Sequence, residues 1–198
     1  MGSGALILGL WGAGVMAQEL PSVRDVTGVA AGDVLNIRAE PAADAPVLGS
    51  YAPDRQRIEV LRLSDDGRWA QVGLPEGNGW VATRYLSDAK AGASLPLRCS
   101  GTEPFWTLTL DEGVSSFRTP EDDIALARDD LTVARNGFTA SLTDAGGQRW
   151  QVVAQAMQCS DGMSDRMYGW RALLSGVGSD ETGGAPEIYA GCCTLDGG

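Results

Sequence analysis

Two adjacent cysteines, Cys192 and Cys193, constrain the C-terminal half of this chain more than any other feature. A disulfide between chain neighbours is strongly strained relative to the usual Cα separation. Only Cys99 and Cys159 remain as partners, so full oxidation leaves two connectivities, each joining those two residues to the adjacent pair. Neighbours on a β-strand point to opposite faces. A strand carrying both cysteines therefore sends one bond through its inner side and the other across its outer side or rim. Cys192 shares phase with Ile188 and Ala190 and is expected on the core side, which leaves Cys193 outside.

Whether these thiols oxidise depends on the compartment. Ala5 to Met16 form an apolar run broken only by glycine, shorter than the roughly 20 residues that span a bilayer. Val15-Met16-Ala17 then places small residues where a signal peptidase reads, so residues 1–17 read as a signal peptide and Gln18 as the mature start. The charged leader of such a segment is missing from Met1-Gly2-Ser3-Gly4, and an uncleaved anchor is the alternative. No cysteine follows the run, which argues against a lipid anchor. The expected product is periplasmic or secreted, without a membrane span after cleavage. In an oxidising compartment four cysteines read as two disulfides.

Charge and composition exclude several functions. A formal net charge of -11 with a single lysine, Lys90, is wrong for nucleic acid or for an anionic membrane surface. The absence of histidine removes Ser-His-Asp and Cys-His nucleophile systems and histidine zinc sites. Any catalysis would have to rest on carboxylates, an unusual Ser/Lys pair or a metal site without histidine. The chain reads as a non-enzyme that needs no cofactor and holds no metal.

From Val23 to Leu86, short β-type runs alternate with turn signals, and no helix of useful length fits. Leu35 and Ile37 share one face of their run. Ile58, Val60 and Arg62 oppose Glu59, Leu61 and Leu63. Asp65-Asp66-Gly67-Arg68 and Glu76-Gly77-Asn78-Gly79 mark hairpin turns. Leu35-Asn36-Ile37-Arg38-Ala39-Glu40-Pro41, Asp66-Gly67-Arg68-Trp69-Ala70-Gln71-Val72 and Gly79-Trp80-Val81 with Tyr85-Leu86 resemble a bacterial SH3 domain. The resemblance implies a partly open small barrel over residues 18–88 that binds cell-wall peptides or proline-containing segments on an aromatic-lined surface. Tyr51, Trp69, Trp80 and Tyr85 are the candidate groove, although both tryptophans also suit a core. Arg38 either neutralises a ligand carboxylate or braces a turn.

The stretch from Ser87 to Ser94 is small and polar and reads as a linker, with residues 89–94 as its centre. Residues 95–198 then form a second all-β unit, an antiparallel barrel or sandwich closed by disulfides. Trp106, Leu108 and Leu110 alternate inward, as do Phe138, Ala140 and Leu142, then Trp150, Val152, Ala154 and Ala156, then Trp170, Ala172 and Leu174. Glu121-Asp122-Asp123 and Asp129-Asp130 read as solvated connections.

Gly101-Thr102-Glu103-Pro104-Phe105-Trp106, Cys159 to Arg166, and Gly191-Cys192 together resemble an uncharacterised family of exported bacterial proteins. That resemblance implies a Cys159–Cys192 bond, leaving Cys99 for Cys193, and names no activity. Glu103, Asp161, Asp165 and Arg166 form the candidate site of this half. The carboxylates suit acid/base work or calcium, but Asp161-Gly162 is a good turn dipeptide and the EF-hand spacing is absent. Asp165 and Arg166 read as a local ion pair, Met163 and Met167 as packing. The whole reads as an exported binding or scaffold protein whose partner is peptidoglycan, an envelope protein or a peptide. The alternatives are an inhibitor of a cell-wall hydrolase such as lysozyme and a carboxylate-based envelope enzyme.

Overall fold

The computed structural model describes residues 20–89, 95, 97–177 and 188–195. The expected signal peptide and nearly all of the 89–94 linker lie outside the described residues.

The N-terminal strands are β1 (Ser22–Val26), β2 (Leu35–Arg38), β3 (Val47–Tyr51), β4 (Ile58–Leu63), β5 (Trp69–Leu74), β6 (Gly77–Ala82) and β7 (Leu86–Asp88). They form one antiparallel sheet in the order β3-β2-β6-β5-β4-β1-β7, with one 3-10 turn at Thr83–Tyr85 before the last strand. Period-two alternation puts Leu35, Ile37, Ile58, Val60, Ala70, Val72 and Val81 into a common core. Gly67, at φ 68°, closes the β4–β5 hairpin as its turn chemistry predicts.

Three local expectations fail here. The second hairpin turns tightly at Pro75-Glu76, so Gly77, Asn78 and Gly79 are already strand. Ser87 and Asp88 belong to β7, paired with β1, and not to the linker. A register shift between Val60 and Arg62 breaks the alternation of β4, leaving Arg62 exposed and turning Leu63 toward the core.

The C-terminal strands β8 (Leu97–Thr102), β9 (Phe105–Leu110), β10 (Ser115–Arg118), β11 (Asp123–Ala134), β12 (Gly137–Asp144), β13 (Arg149–Ser160), β14 (Met167–Val177) and β15 (Ile188–Leu195) close a barrel. Its interior is filled. Leu97, Leu108, Leu126, Leu142, Leu174 and Leu195 are fully buried, and Phe117 packs 5.1 Å from Trp150 and 5.0 Å from Tyr189 between ring centroids. Trp106 adds its ring 6.0 Å from Tyr189 and lies against the backbone of Gly101 and Gly191. A side chain at Gly191 would stand 2.7 Å from the Trp106 ring, which explains why both positions are glycine. Thr107, Thr139, Gln151, Gln155 and Arg171 face outward. The outer face also carries apolar Val133, Val153, Leu173 and Ile188 in solvent. Among the described residues no helix is long and apolar enough to cross a membrane.

The acids at 123, 129 and 130 lie within the long strand β11, not in connections. That strand is hard to read from sequence because it is largely exposed and its pairing slips between Arg128 and Asp130. The cysteine phase is also opposite to expectation. Tyr189, Cys193 and Leu195 face the interior, while Ile188 is 65% exposed. Tyr189, not Ile188, is the buried anchor of β15. Cys193 therefore bonds inward to Cys99, directly opposite on β8, and Cys192 bonds Cys159 on the outer side.

The two units meet along a seam. Val23 packs against the barrel core. Leu61 is fully buried outside the core of its own sheet, and its carbonyl accepts a bond from Gln158 Nε2 at 3.0 Å. Asn78 brackets Met167, accepting from its N–H at 2.8 Å and donating to its carbonyl at 3.2 Å. Thr194 Oγ1 donates to Glu59 Oε2 at 3.0 Å.

Replacing Cys159 and Cys192 together by serine should lower stability by about 4 kcal/mol on the chain-entropy estimate for residues 33 apart. Denaturant unfolding of the folded variant against wild type measures this, and an unchanged midpoint would contradict it.

Candidate functional site

A cleft of about 380 Å³ opens on the N-terminal unit, lined among others by Asp33, Asn36, Arg38, Trp69, Arg84 and Tyr85. Trp69 begins β5 and its N–H donates to Ser64 Oγ at 3.1 Å, which fixes where the indole leaves the hairpin. Its cross-strand partner is Ala82, small enough to leave room beside the ring. Tyr85 ends the 3-10 turn, with the Arg84 guanidinium 4.6 Å from its ring centroid. Arg38 Nη1 donates to the Ala45 carbonyl at 2.7 Å, so this arginine braces a turn while still lining the cleft.

The other two aromatic candidates stand elsewhere. Trp80 is only 8% exposed and lies under the Arg62 guanidinium, 5.0 Å from the ring centroid. Arg62 is itself held by Gln71 Oε1 at 2.8 Å. The Tyr51 hydroxyl is pushed up to about 12 by burial, with Arg55 and Arg166 opposing and Glu59 adding to the shift. Its neighbours place it beside the seam. The cleft thus unites Trp69, Tyr85 and Arg38 but not Tyr51 or Trp80. Asp33, Asn36 and Arg84 escape sequence reasoning, having no apolar alternation to mark them.

The barrel carries a second concavity. Two adjoining cavities of about 380 and 420 Å³ share Ser100, Gly101, Thr102 and Asp161. The first lies over the Cys159–Cys192 bond and is lined by Arg171. The second is flanked by Phe105, 59% exposed, and Met163, 67% exposed. All three distinctive C-terminal motifs therefore meet at one groove. Met163 is not packing, because it stands in solvent. Met167 is half-buried at the seam.

Of the four acidic and basic candidates in this half, Asp161 lines the groove. Glu103 and Asp165 are exposed. Arg166 turns from Asp165 toward the seam, against Gly73 and 4.8 Å from the Tyr168 ring centroid. Asp161 is committed to its own turn. Its Oδ1 accepts the N–H groups of Met163 and Ser164, both at 3.0 Å, and its Oδ2 accepts Tyr168 Oη at 3.1 Å. Partial burial pulls this carboxyl upward, but bonds from Met163, Ser164 and Tyr168 outweigh it and hold the group below its ordinary range. A general acid needs the opposite shift. Among the described residues no group of three or more His, Cys, Asp or Glu is placed to hold a metal ion.

Residues 33–87 match the family described as the bacterial SH3 domain. No curated protein and no solved structure gives a significant match to the chain. The family match suggests a binding module.

Asp161→Ala should lower stability at neutral pH by about 1–2 kcal/mol, since several donors lose a charged acceptor at a half-exposed site. Asp161 sits lower folded than unfolded, so its contribution is present above the ordinary value of 3.8 and fades as pH falls below it. The gap between variant and wild type should narrow in that acid range in pH-dependent unfolding.

Proposed function

We propose that this is an exported, non-catalytic binding protein of the bacterial envelope whose SH3 cleft receives a cell-wall peptide. The observation that carries this reading is the convergence of Trp69, Tyr85, Arg38, Arg84 and Asp33 on one cleft. Two ring systems offer stacking area, two guanidiniums offer positive charge, and Asp33 offers a counter-charge for an ammonium. A short peptide with free carboxylate and amino groups matches that mixture. Export is supported by the two disulfides, which persist in oxidising compartments.

The barrel groove between Phe105 and Met163 supports recognition of a second envelope component by the C-terminal unit. Two large apolar side chains left in solvent beside a concavity favour a protein partner, as in the inhibitor reading. The carboxylate-enzyme reading loses its main support, because Asp161 serves its turn.

Retention of the mature chain on purified peptidoglycan tests the proposal. Wild type should bind, Trp69→Ala should bind about tenfold or more weakly, and Trp80→Ala should bind as wild type while folded. No retention of wild type would sink the cell-wall ligand. Equal retention of Trp69→Ala would remove the cleft.

A further inference from the structure

We propose that the seam between the SH3 sheet and the barrel is a latch centred on Glu59 that acid strengthens and neutral pH loosens. Glu59 is only 8% exposed, although it sits on the outer face of its own sheet. What covers it is the barrel. Thr194 on β15 donates to its Oε2 at 3.0 Å, and Gly169 on β14 is so close that a side chain there would stand 2.6 Å from Glu59 Cδ. Leu61, in phase with Glu59, is buried against the same surface, where Gln158 reaches its carbonyl.

The charged or titratable groups that face Glu59 are few. Arg166 approaches from the β13–β14 turn and Tyr51 from β3. Strand β15 presents Thr194 and Leu195, β14 presents Gly169, and β1 presents Val23 opposite Glu59 in register. The backbone N–H of Arg57, two residues before Glu59, donates to Asp25 Oδ1 at 2.9 Å, and Nε and Nη2 of its guanidinium are also buried. Arg166 cannot neutralise Glu59 fully while its guanidinium lies against Gly73 and Tyr168.

Burial pushes the Glu59 carboxyl up to about 7, against bonds from Thr194 and the Leu195 backbone, the Arg166 charge and a bond from the Gly169 backbone. Released into water, the group returns toward its ordinary 4.5. Between those values the docked form holds a proton that the released form gives up. Docking is therefore strongest below 4.5, weakens as pH rises to about 7, and is constant above. The full change in the docking equilibrium is at most about 300-fold.

The latch also touches the barrel groove. Gln158, Arg166 and Met167 grip the SH3 sheet, while Asp161 and Met163, in the same turn, line the groove. Loosening the seam frees one side of the element that shapes the groove.

The Met167 amide reports docking directly, since its bond crosses the seam to Asn78. Hydrogen exchange of the full oxidised chain, corrected for intrinsic pH dependence, should show Met167 protection falling tenfold or more between pH 4.5 and 8. Glu59→Gln should flatten that response, and Glu40→Gln, an exposed carboxylate outside the seam, should leave it intact. Constant protection in wild type, or an unchanged response in Glu59→Gln, would overturn the latch. Should Glu59→Gln fail to fold, carbon NMR titration of the wild-type carboxyl decides. A midpoint near 7 supports the latch and one below 5 overturns it.

Discussion

Strand β15 holds the molecule from both of its faces. Inward, Cys193 is bonded to Cys99 within the barrel; outward, Cys192 is bonded to Cys159 on the overreaching end of β13. The same strand closes the barrel by pairing β14 on one side and β8 on the other. Its Thr194 then anchors Glu59 of the SH3 sheet. Barrel closure, both covalent cross-links and part of the seam thus pass through eight residues. Remove this strand and β14 and β8 become open edges with unpaired backbone groups.

The β13–β14 hairpin depends on that anchorage. Pairing between the two strands shifts between Ala156 and Cys159, and from that shift onward the hairpin reaches the SH3 sheet through Gln158 and Met167. A bulge of this kind bends a strand and re-aims the residues beyond it. The disulfide to β15 fixes the bend, and Asp161 organises the tip with bonds to Met163, Ser164 and Tyr168. So the concentration of polar residues between Cys159 and Trp170, which looks like an active site, is mainly the means of holding a turn that faces two ways.

Much of this architecture is legible in the sequence, and the failures have a common cause. Strands with one buried and one solvated face are readable, as with Trp106, Leu108 and Leu110 or Phe138, Ala140 and Leu142. Strand β11 is not, because it is largely exposed and its pairing slips midway. Strand β4 carries a further signal. Glu59 alternates with Ile58 and Val60, but Leu61 shares the phase of Glu59, and apolar residues on both faces of a strand mean that both are covered. A glutamate in that phase is a buried glutamate. Ile188 misleads about the cysteine face, because alternation gives two phases and only the packing of Tyr189 says which is inside. The sequence marks Trp69, Tyr85, Tyr51 and Trp80 alike as aromatics, and what separates the first two, in the cleft, from the others is tertiary placement.

The filled barrel also limits where recognition can occur. With Trp106, Phe117, Trp150 and Tyr189 packed together inside, no ligand enters without displacing a core that is stabilised by its own density. The concavities of this unit accordingly lie on its rim and outer face. The distinctive motif residues then divide by what they touch. Gly101 and Gly191 make room for Trp106, Cys159 and Cys192 staple the hairpin, and Asp161 holds its tip. Phe105 and Met163 do none of this, yet they stand in solvent where threonine or glutamine would serve the fold as well. They stand exposed beside the groove, and Met163 belongs to the turn that also grips the N-terminal sheet.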